Sequence, residues 1–432
     1  MICKNLSLSA DGNLLFAGRD LKELAEKYRT PLYLMDEDRI REMCRRYKSA
    51  MHEAFGENAT PLYASKACSF RQIYRIMKEE DMGVDVVSCG EIHTAKSVGF
   101  DLSKAYFNGN NKTDSDILYA MENGVGYFVV DNEEEIDAIE RIAGEMNTCQ
   151  KVLLRITPGI DTHTYEEIAT GQVDSKFGSA IETGQAMAIT KKTLSCPHIK
   201  LSGFHCHVGS QVFDSDTFIR SAQIMMEYLS TVRAETGFVA DTLSLGGGYG
   251  VRYVAKDPEL DLEKNVLQVG EEVKRLCNKF SYPQPRILME PGRSIVADAG
   301  LTLYTVGTVK KIPGYKNYVS VDGGMTDNPR YALYGAEYTV VLPEKMKEEY
   351  SFACSVVGRC CESGDILCEK TFLPASVQRG DLLAILTTGA YNYSMASHYN
   401  RIPKPPVVML SGGKDYVAVR RETLEDLTNF DE

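Results

Sequence analysis

Between Pro61 and Glu290 short β-branched or aromatic runs alternate with longer amphipathic stretches, and this rhythm limits the possible folds more than any other feature of the chain. The runs are Pro61–Lys66, Gly83–Val87, Ala105–Phe107, Tyr127–Val130, Lys151–Ile156, Leu201–His207, Thr242–Leu245 and Arg286–Met289, which makes eight candidate strands. Phe70–Asp81 and Asn132–Ala143 carry isoleucines at helical spacing, and Asp216–Glu235 and Asp261–Phe280 are longer helices opened by acidic residues. Strand–helix alternation repeated this often predicts a closed (β/α)8 barrel of the TIM type, with an open doubly wound sheet as the competitor. The polar stretch from Thr157 to Ser179 interrupts the rhythm and reads as a long loop after the fifth strand.

After about Gly300 the pattern changes to short strands between Gly, Pro and Asp turns: Leu301–Val309, Tyr318–Asp322, Asp381–Thr387, Val407–Leu410 and Tyr416–Val419. We expect a separate antiparallel β domain, a sandwich or barrel, joined by N-terminal strands at Leu14–Phe16 and Pro31–Met35. The division is then a barrel over 37–290 and a β domain over 1–36 and 291–432, with a final helix at Leu424–Asp431.

Composition excludes several classes of partner. A net charge of -12 argues against nucleic acid, and the short basic pieces Arg41–Arg46 and Lys310–Lys311 read as solvated faces. No apolar run approaches the ~20 residues of a membrane span, and MICKNLSLSADG lacks a signal-peptide pattern, so cytoplasmic residence is expected. Twelve cysteines in 432 residues are too sparse for a disulfide scaffold, and no spacing among them implies a metal site.

In a barrel, reacting groups gather at the C-terminal ends of the strands. Lys66 ends the first strand; alone it would be an ordinary surface lysine. The seventh strand runs into Gly246-Gly247-Gly248-Tyr249-Gly250 and the eighth into Glu290-Pro291-Gly292-Arg293, the two places where barrels bind phosphate. Glycines there let the backbone present N–H groups to an anion. Glu290, otherwise a structural salt-bridge partner, could bond a pyridine nitrogen and strengthen an electron sink. His207 ends the sixth strand, and Gly209 and Ser210 after it suit a phosphate turn while the imidazole stacks on a ring. Asp85 on the second strand could bond ring substituents or orient a neighbour. Lysine, carboxylate, imidazole and glycine turns together are the needs of a pyridoxal 5'-phosphate (PLP) site.

The motifs YASKA, HVGSQ, GGGYG and EPGRS, with SKFG at Ser175–Gly178, DGGM at Asp322–Met325, CESGD at Cys361–Asp365 and GAY at Gly389–Tyr391, keep one order along essentially the whole chain. In this the sequence resembles the fold-type III PLP-dependent decarboxylases, especially those acting on diaminopimelate. The resemblance implies a PLP-binding barrel with a β domain, and a homodimer with active sites at the subunit interface. It makes Lys66 the Schiff-base lysine, places His207 on the ring and Glu290 on the pyridine nitrogen. Ser210, Gly247, Gly248, Gly292, Arg293 and Tyr391 would line the cofactor, with Asp85 beside it. Cys361 would donate the proton from the partner subunit. Arg293, Arg330, Tyr334, Glu362 and Tyr391 would bind the distal end of a diamino acid, where two cations and an anion match a carboxylate and an ammonium. The chain departs from the family pattern at Cys68, where Asn is usual, at Tyr331, where Pro is usual after Arg330, and at Cys360, a second thiol beside Cys361.

The expected reaction is decarboxylation of meso-2,6-diaminopimelate to L-lysine. Glu290 at the ring nitrogen favours decarboxylation over racemisation, for which the related racemases place an arginine there. The alternatives are a decarboxylase of ornithine, lysine or a D-amino acid, and a non-catalytic regulatory homologue.

Overall fold

The computed structural model describes residues 2–159 and 176–432. The chain divides into two compact units, one of 43–250 with 260–292, the other of 1–42, 251–259 and 293–432. The boundaries are more interleaved than the division at 37, 290 and 291, since 251–259 lies between barrel strands in sequence but clusters with the second unit.

The first unit is a closed parallel barrel. Its strands are β1 (Thr60–Ala64), β2 (Gly83–Val86), β3 (Ala105–Phe107), β4 (Tyr127–Val130), β5 (Gln150–Thr157), β6 (Ile199–His205), β7 (Thr242–Ser244) and β8 (Arg286–Met289). Each pairs in parallel with the next, and Leu288↔Thr60 and Met289↔Pro61 join β8 to β1. A short strand, Ser179–Ala180, adds to the end of β5. The rest of the expected Thr157–Ser179 loop falls on 160–175, outside the described residues.

The strands form where the sequence alternates β-branched and aromatic residues, and their helices begin where a side chain can satisfy free N–H groups. Asn132 accepts from Glu135 N, Asp261 from Lys264 N, and Thr113 closes a capping box with Asp116. Leu62, Tyr106, Val129, Leu153 and Leu288 fill the inside of the barrel as one buried cluster. Successive inward positions along a strand are two residues apart. The positions two residues later are Ala64, Asn108, Asp131, Arg155 and Glu290, so on four of these five strands the apolar layer gives way to a polar one toward the C-terminal ends.

The second unit is built around the strand Gly300–Lys310. Leu32–Asp36 and Leu382–Leu386 flank its first half, and Tyr318–Val321 pairs with its second. Leu14, Phe16, Leu21, Leu32 and Leu34 pack with Leu301, Leu303, Leu386 and Val408, so both ends of the chain share one core. The sheet is mixed rather than antiparallel: Leu32–Asp36 runs parallel to Val407–Ser411, and Tyr318–Val321 parallel to Phe352–Val357.

One further expectation is corrected. Leu424–Asp431 is no helix but a single 3-10 turn at Asp426–Thr428; Leu424 is 70% and Phe430 96% exposed, so a helix there would have no apolar face to bury. The Arg41–Arg46 piece lies on a helix, Glu37–Phe55, with Arg45 exposed and Arg41 and Arg46 half-buried, and it is ion-paired: Arg41 to Glu37, Arg45 to Glu80 and Arg46 to Glu263. Among the described residues no helix is long and apolar enough to cross a membrane.

Candidate active site

In the barrel unit, β1 ends at Ala64 and the chain turns at once through a 3-10 segment, Ser65–Ala67, that carries Lys66. Ser65, Ala67 and Cys68 are buried, whereas Lys66 is exposed. The tyrosine hydroxyl of Tyr63 donates to Cys68 O at 2.9 Å and ties down the far side of the turn.

Glu290 follows β8 and is 8% exposed. His205 Nε2 lies 2.9 Å from one of its oxygens, and Ser244 Oγ donates to the other at 2.8 Å. Burial pushes this carboxyl up, but the His205 and Ser244 contacts outweigh it and hold Glu290 down to about 2. Asp85, on β2, shows the opposite balance. Burial and then the charge of Glu290 push it up to about 7, against Lys66 and an Asn108 amide that donates at 2.6 Å. Two buried carboxylates of one unit are thus driven apart, one anionic and one able to hold a proton near neutrality.

His207 stands two residues past β6, half-buried. Burial, followed by the charges of Lys66 and Arg155, holds its imidazole well below the usual histidine range. Gly247 N donates to its Nδ1 at 3.3 Å. A neutral, apolar-faced imidazole suits stacking on an aromatic ring.

The glycine turns are where backbones meet. A Cβ on Gly247 would come within 2.1 Å of Glu290 O, so a side chain there would push the β7 and β8 loops apart. The Val212 N–H donates to Gly248 O and the Gly250 N–H to Val212 O, each at 2.9 Å, which knits the HVGSQ turn, with Ser210, to GGGYG. Gly292 lies against Ala64 and Ala67, and Ala64 N donates to Pro291 O at 3.0 Å, so the EPG turn is joined to the lysine turn. The barrel unit therefore brings together Lys66, Asp85, His207, Gly247, Gly248, Glu290 and Gly292. An exposed amine, an anionic carboxylate and backbone turns free of side chains fit pyridoxal phosphate.

The second unit holds a cluster of its own. The Arg293 guanidinium donates to the Tyr253 hydroxyl at 2.7 Å and lies 4.8 Å over the Tyr391 ring. Arg330 donates to the Tyr338 hydroxyl at 2.6 Å and lies 4.9 Å over the Tyr253 ring. Both arginines are buried. Burial raises the Tyr253 phenol, but the two guanidiniums outweigh it and lower it below the usual tyrosine range. Tyr334 is half-buried at the end of the Arg330–Tyr334 helix, four residues from Arg330.

Cys361 and Glu362 stand on a separate exposed loop. Cys361 N donates to Asn400 Oδ1 at 2.8 Å, and Tyr399 donates to Glu362 at 3.4 Å.

Sequence reasoning missed His205, Arg155, Ser244 and Tyr253. Arg155 was within reach, since it sits two residues from the inward Leu153 on its own strand. Tyr253 carries no local signal, because its segment joins the second unit only through the tertiary fold.

Residues 37–297 match the family described as pyridoxal-dependent decarboxylase, pyridoxal binding domain. The chain is 44% identical over 420 residues to a diaminopimelate decarboxylase of Bacillus subtilis (strain 168), covering 97% of this chain and 95% of the relative. It is 44% identical over 417 residues to the enzyme of that name from Staphylococcus aureus (strain COL), covering 96% and 97%. Among solved structures, the diaminopimelate decarboxylase of M. jannaschii in co-complex with L-lysine superimposes with a TM-score of 0.91 at 33% identity, over 100% of this chain and 98% of that one.

Proposed function

The chain belongs to the pyridoxal-dependent decarboxylases, and from that premise we infer its reaction: removal of one carboxylate from meso-2,6-diaminopimelate to give L-lysine and carbon dioxide. It is a carboxy-lyase with pyridoxal phosphate as cofactor and a small amino acid as substrate. When bound, that group supplies the electron sink that accepts the bonding pair left as carbon dioxide departs.

The residue roles are our proposal. Lys66 would hold the cofactor through its amine. Glu290 accepts a hydrogen bond from the ring nitrogen, His207 stacks on the ring, and Asp85 orients its substituents. Ser210, Gly247, Gly248, Gly292 and Tyr391 hold the phosphate, with Arg293 beside them. Cys361 returns the proton to the substrate carbon from the partner subunit of a homodimer, and its exposed loop supports that reading. Arg293, Arg330, Tyr334, Tyr391 and Glu362 bind the distal end. We place the enzyme in the cytoplasm, a reading supported by twelve cysteines that form no disulfide among the described residues.

One observation carries the choice of substrate: two buried guanidiniums, Arg293 and Arg330, converge on one phenol, Tyr253. Diaminopimelate brings a distal carboxylate to such a pair, whereas lysine and ornithine do not. Purified enzyme supplied with meso-diaminopimelate should release carbon dioxide and L-lysine in equal amounts, and D-lysine or L-ornithine should turn over at least about 100-fold more slowly, because the pair would be left without its anion. Turnover of ornithine in preference to diaminopimelate would refute the substrate assignment.

A further inference from the structure

Nothing in the reaction above uses His205, although it is 1% exposed and closes the barrel's polar layer. His205 and Ser244 end two neighbouring strands, and Glu290 follows the end of the next. His205 and Ser244 are register partners across β6 and β7, and Ser244 partners Leu288 across β7 and β8, two residues before Glu290. Ionised Glu290 can only accept hydrogen bonds, so Nε2 is the donating nitrogen of His205. The bond to Glu290 is the contact through which this imidazole reaches the site.

We propose that His205 is a positioning residue, which with Ser244 clamps the Glu290 carboxylate in one orientation and leaves its remaining lone pairs directed at the ring nitrogen of the cofactor. The inference rests on the reading of Glu290 given above. Two donors on two oxygens leave a carboxylate no freedom to rotate, yet each oxygen keeps a second acceptor site. The low proton affinity of Glu290 agrees with this: burial raises it, the two donors outweigh burial, and the ionised carboxylate is the stronger acceptor for a ring N–H. HCH at 205–207 thus supplies two imidazoles to the site, His205 from the strand end behind the carboxylate and His207 from the turn after it.

The test compares His205→Leu, which fills the space without a donor, with His205→Gln, which restores an N–H. Each is measured as holoenzyme for cofactor affinity by absorption titration, for the visible spectrum of the bound cofactor from acid to alkaline pH, and for kcat and KM. The leucine variant should lose kcat by about 10- to 100-fold with little change in KM, the loss typical of groups that orient a functional ligand from behind. Its cofactor spectrum should shift and acquire a pH dependence that the parent lacks. The glutamine variant should recover most of both. Ser244→Ala removes the second donor with a single atom and should shift the spectrum the same way, so the proposal stays testable if leucine does not fold. An unchanged spectrum and kcat in His205→Leu, or equal losses in the leucine and glutamine variants, would overturn it. Failure of borohydride to trap pyridoxal phosphate on Lys66 of the parent enzyme would instead remove the reading on which it rests.

Discussion

Cys360 and Cys361 are neighbours with different surroundings. Cys360 is half-buried; its backbone N–H donates to Asp365 at 2.7 Å, and burial followed by the Asp365 charge pushes its thiol up to about 11. Cys361 faces outward. A proton donor must reach the reacting carbon and recover its proton from solvent, which a thiol held inward beside a carboxylate does poorly. Cys361→Ala should therefore keep its cofactor and lose turnover by about 100-fold or more, as expected for a general acid, while Cys360→Ala keeps most of it. Steady-state assays of both variants at equal cofactor loading decide the matter; full rate in Cys361→Ala would transfer the role elsewhere. The case also shows where residue-level reading stops. CES names a candidate thiol, but only the fold distinguishes its two adjacent sulfurs. In the same way His205 and His207 look alike in HCH until the strand end at His205 separates them.

At the level of elements, the loop bearing Cys361 depends on one buried carboxylate. Asp365 accepts from Met325 N at 2.6 Å and from Cys360 N at 2.7 Å, and Gly358 N donates to Asp365 O at 3.0 Å. A Cβ on Gly358 would come within 2.3 Å of the Asp365 carboxylate and 2.4 Å of Gly324 Cα, so no side chain fits without moving the loop. Gly358→Ala should cost about 1–3 kcal/mol through overpacking. Because the loop is displaced, kcat should fall more than the melting temperature alone accounts for; calorimetry and kinetics on the same sample check this. The strands on either side, Phe352–Val357 and Ile366–Leu373, were not legible in the sequence. Their polar residues interrupt the two-residue alternation, and their pairing partners are set by the sheet. The barrel strands were legible because each inward position must be apolar or chemically useful. Ala105–Phe107, Tyr127–Val130 and Arg286–Met289 begin and end where alternation alone puts them. The mixed direction of the second sheet was not, since parallel pairing joins Leu32–Asp36 to Val407–Ser411 from opposite ends of the chain.

For the whole molecule, the response to pH follows from buried carboxylates in both units. Asp85 in the barrel unit and Asp327 in the second unit are each pushed up to about 7, in both cases chiefly by burial. Tyr304 donates to Asp327, as does Gly324 N at 3.0 Å, but these bonds only partly offset the loss of hydration. Aspartate in an unfolded chain titrates near 3.8. Between about pH 4 and pH 7 the folded chain thus holds protons that the unfolded chain has released, and raising the pH across that window favours unfolding. Glu290 acts in the opposite sense: its carboxyl is lowered to about 2, so its contribution is present above its ordinary 4.5 and disappears as the pH falls below that. His207, held well below its ordinary 6.5, acts in the same sense as Glu290, and Glu91, raised to about 7, acts like Asp85, so each contribution is read one residue at a time. Asp327 is the cleaner probe because it takes no part in the proposed chemistry. The melting temperature of the parent relative to Asp327→Asn should be highest near pH 4, fall steadily to about pH 7 and level off above it, as the asparagine variant has no proton to lose. A difference that stays constant across that range would show that Asp327 does not titrate there.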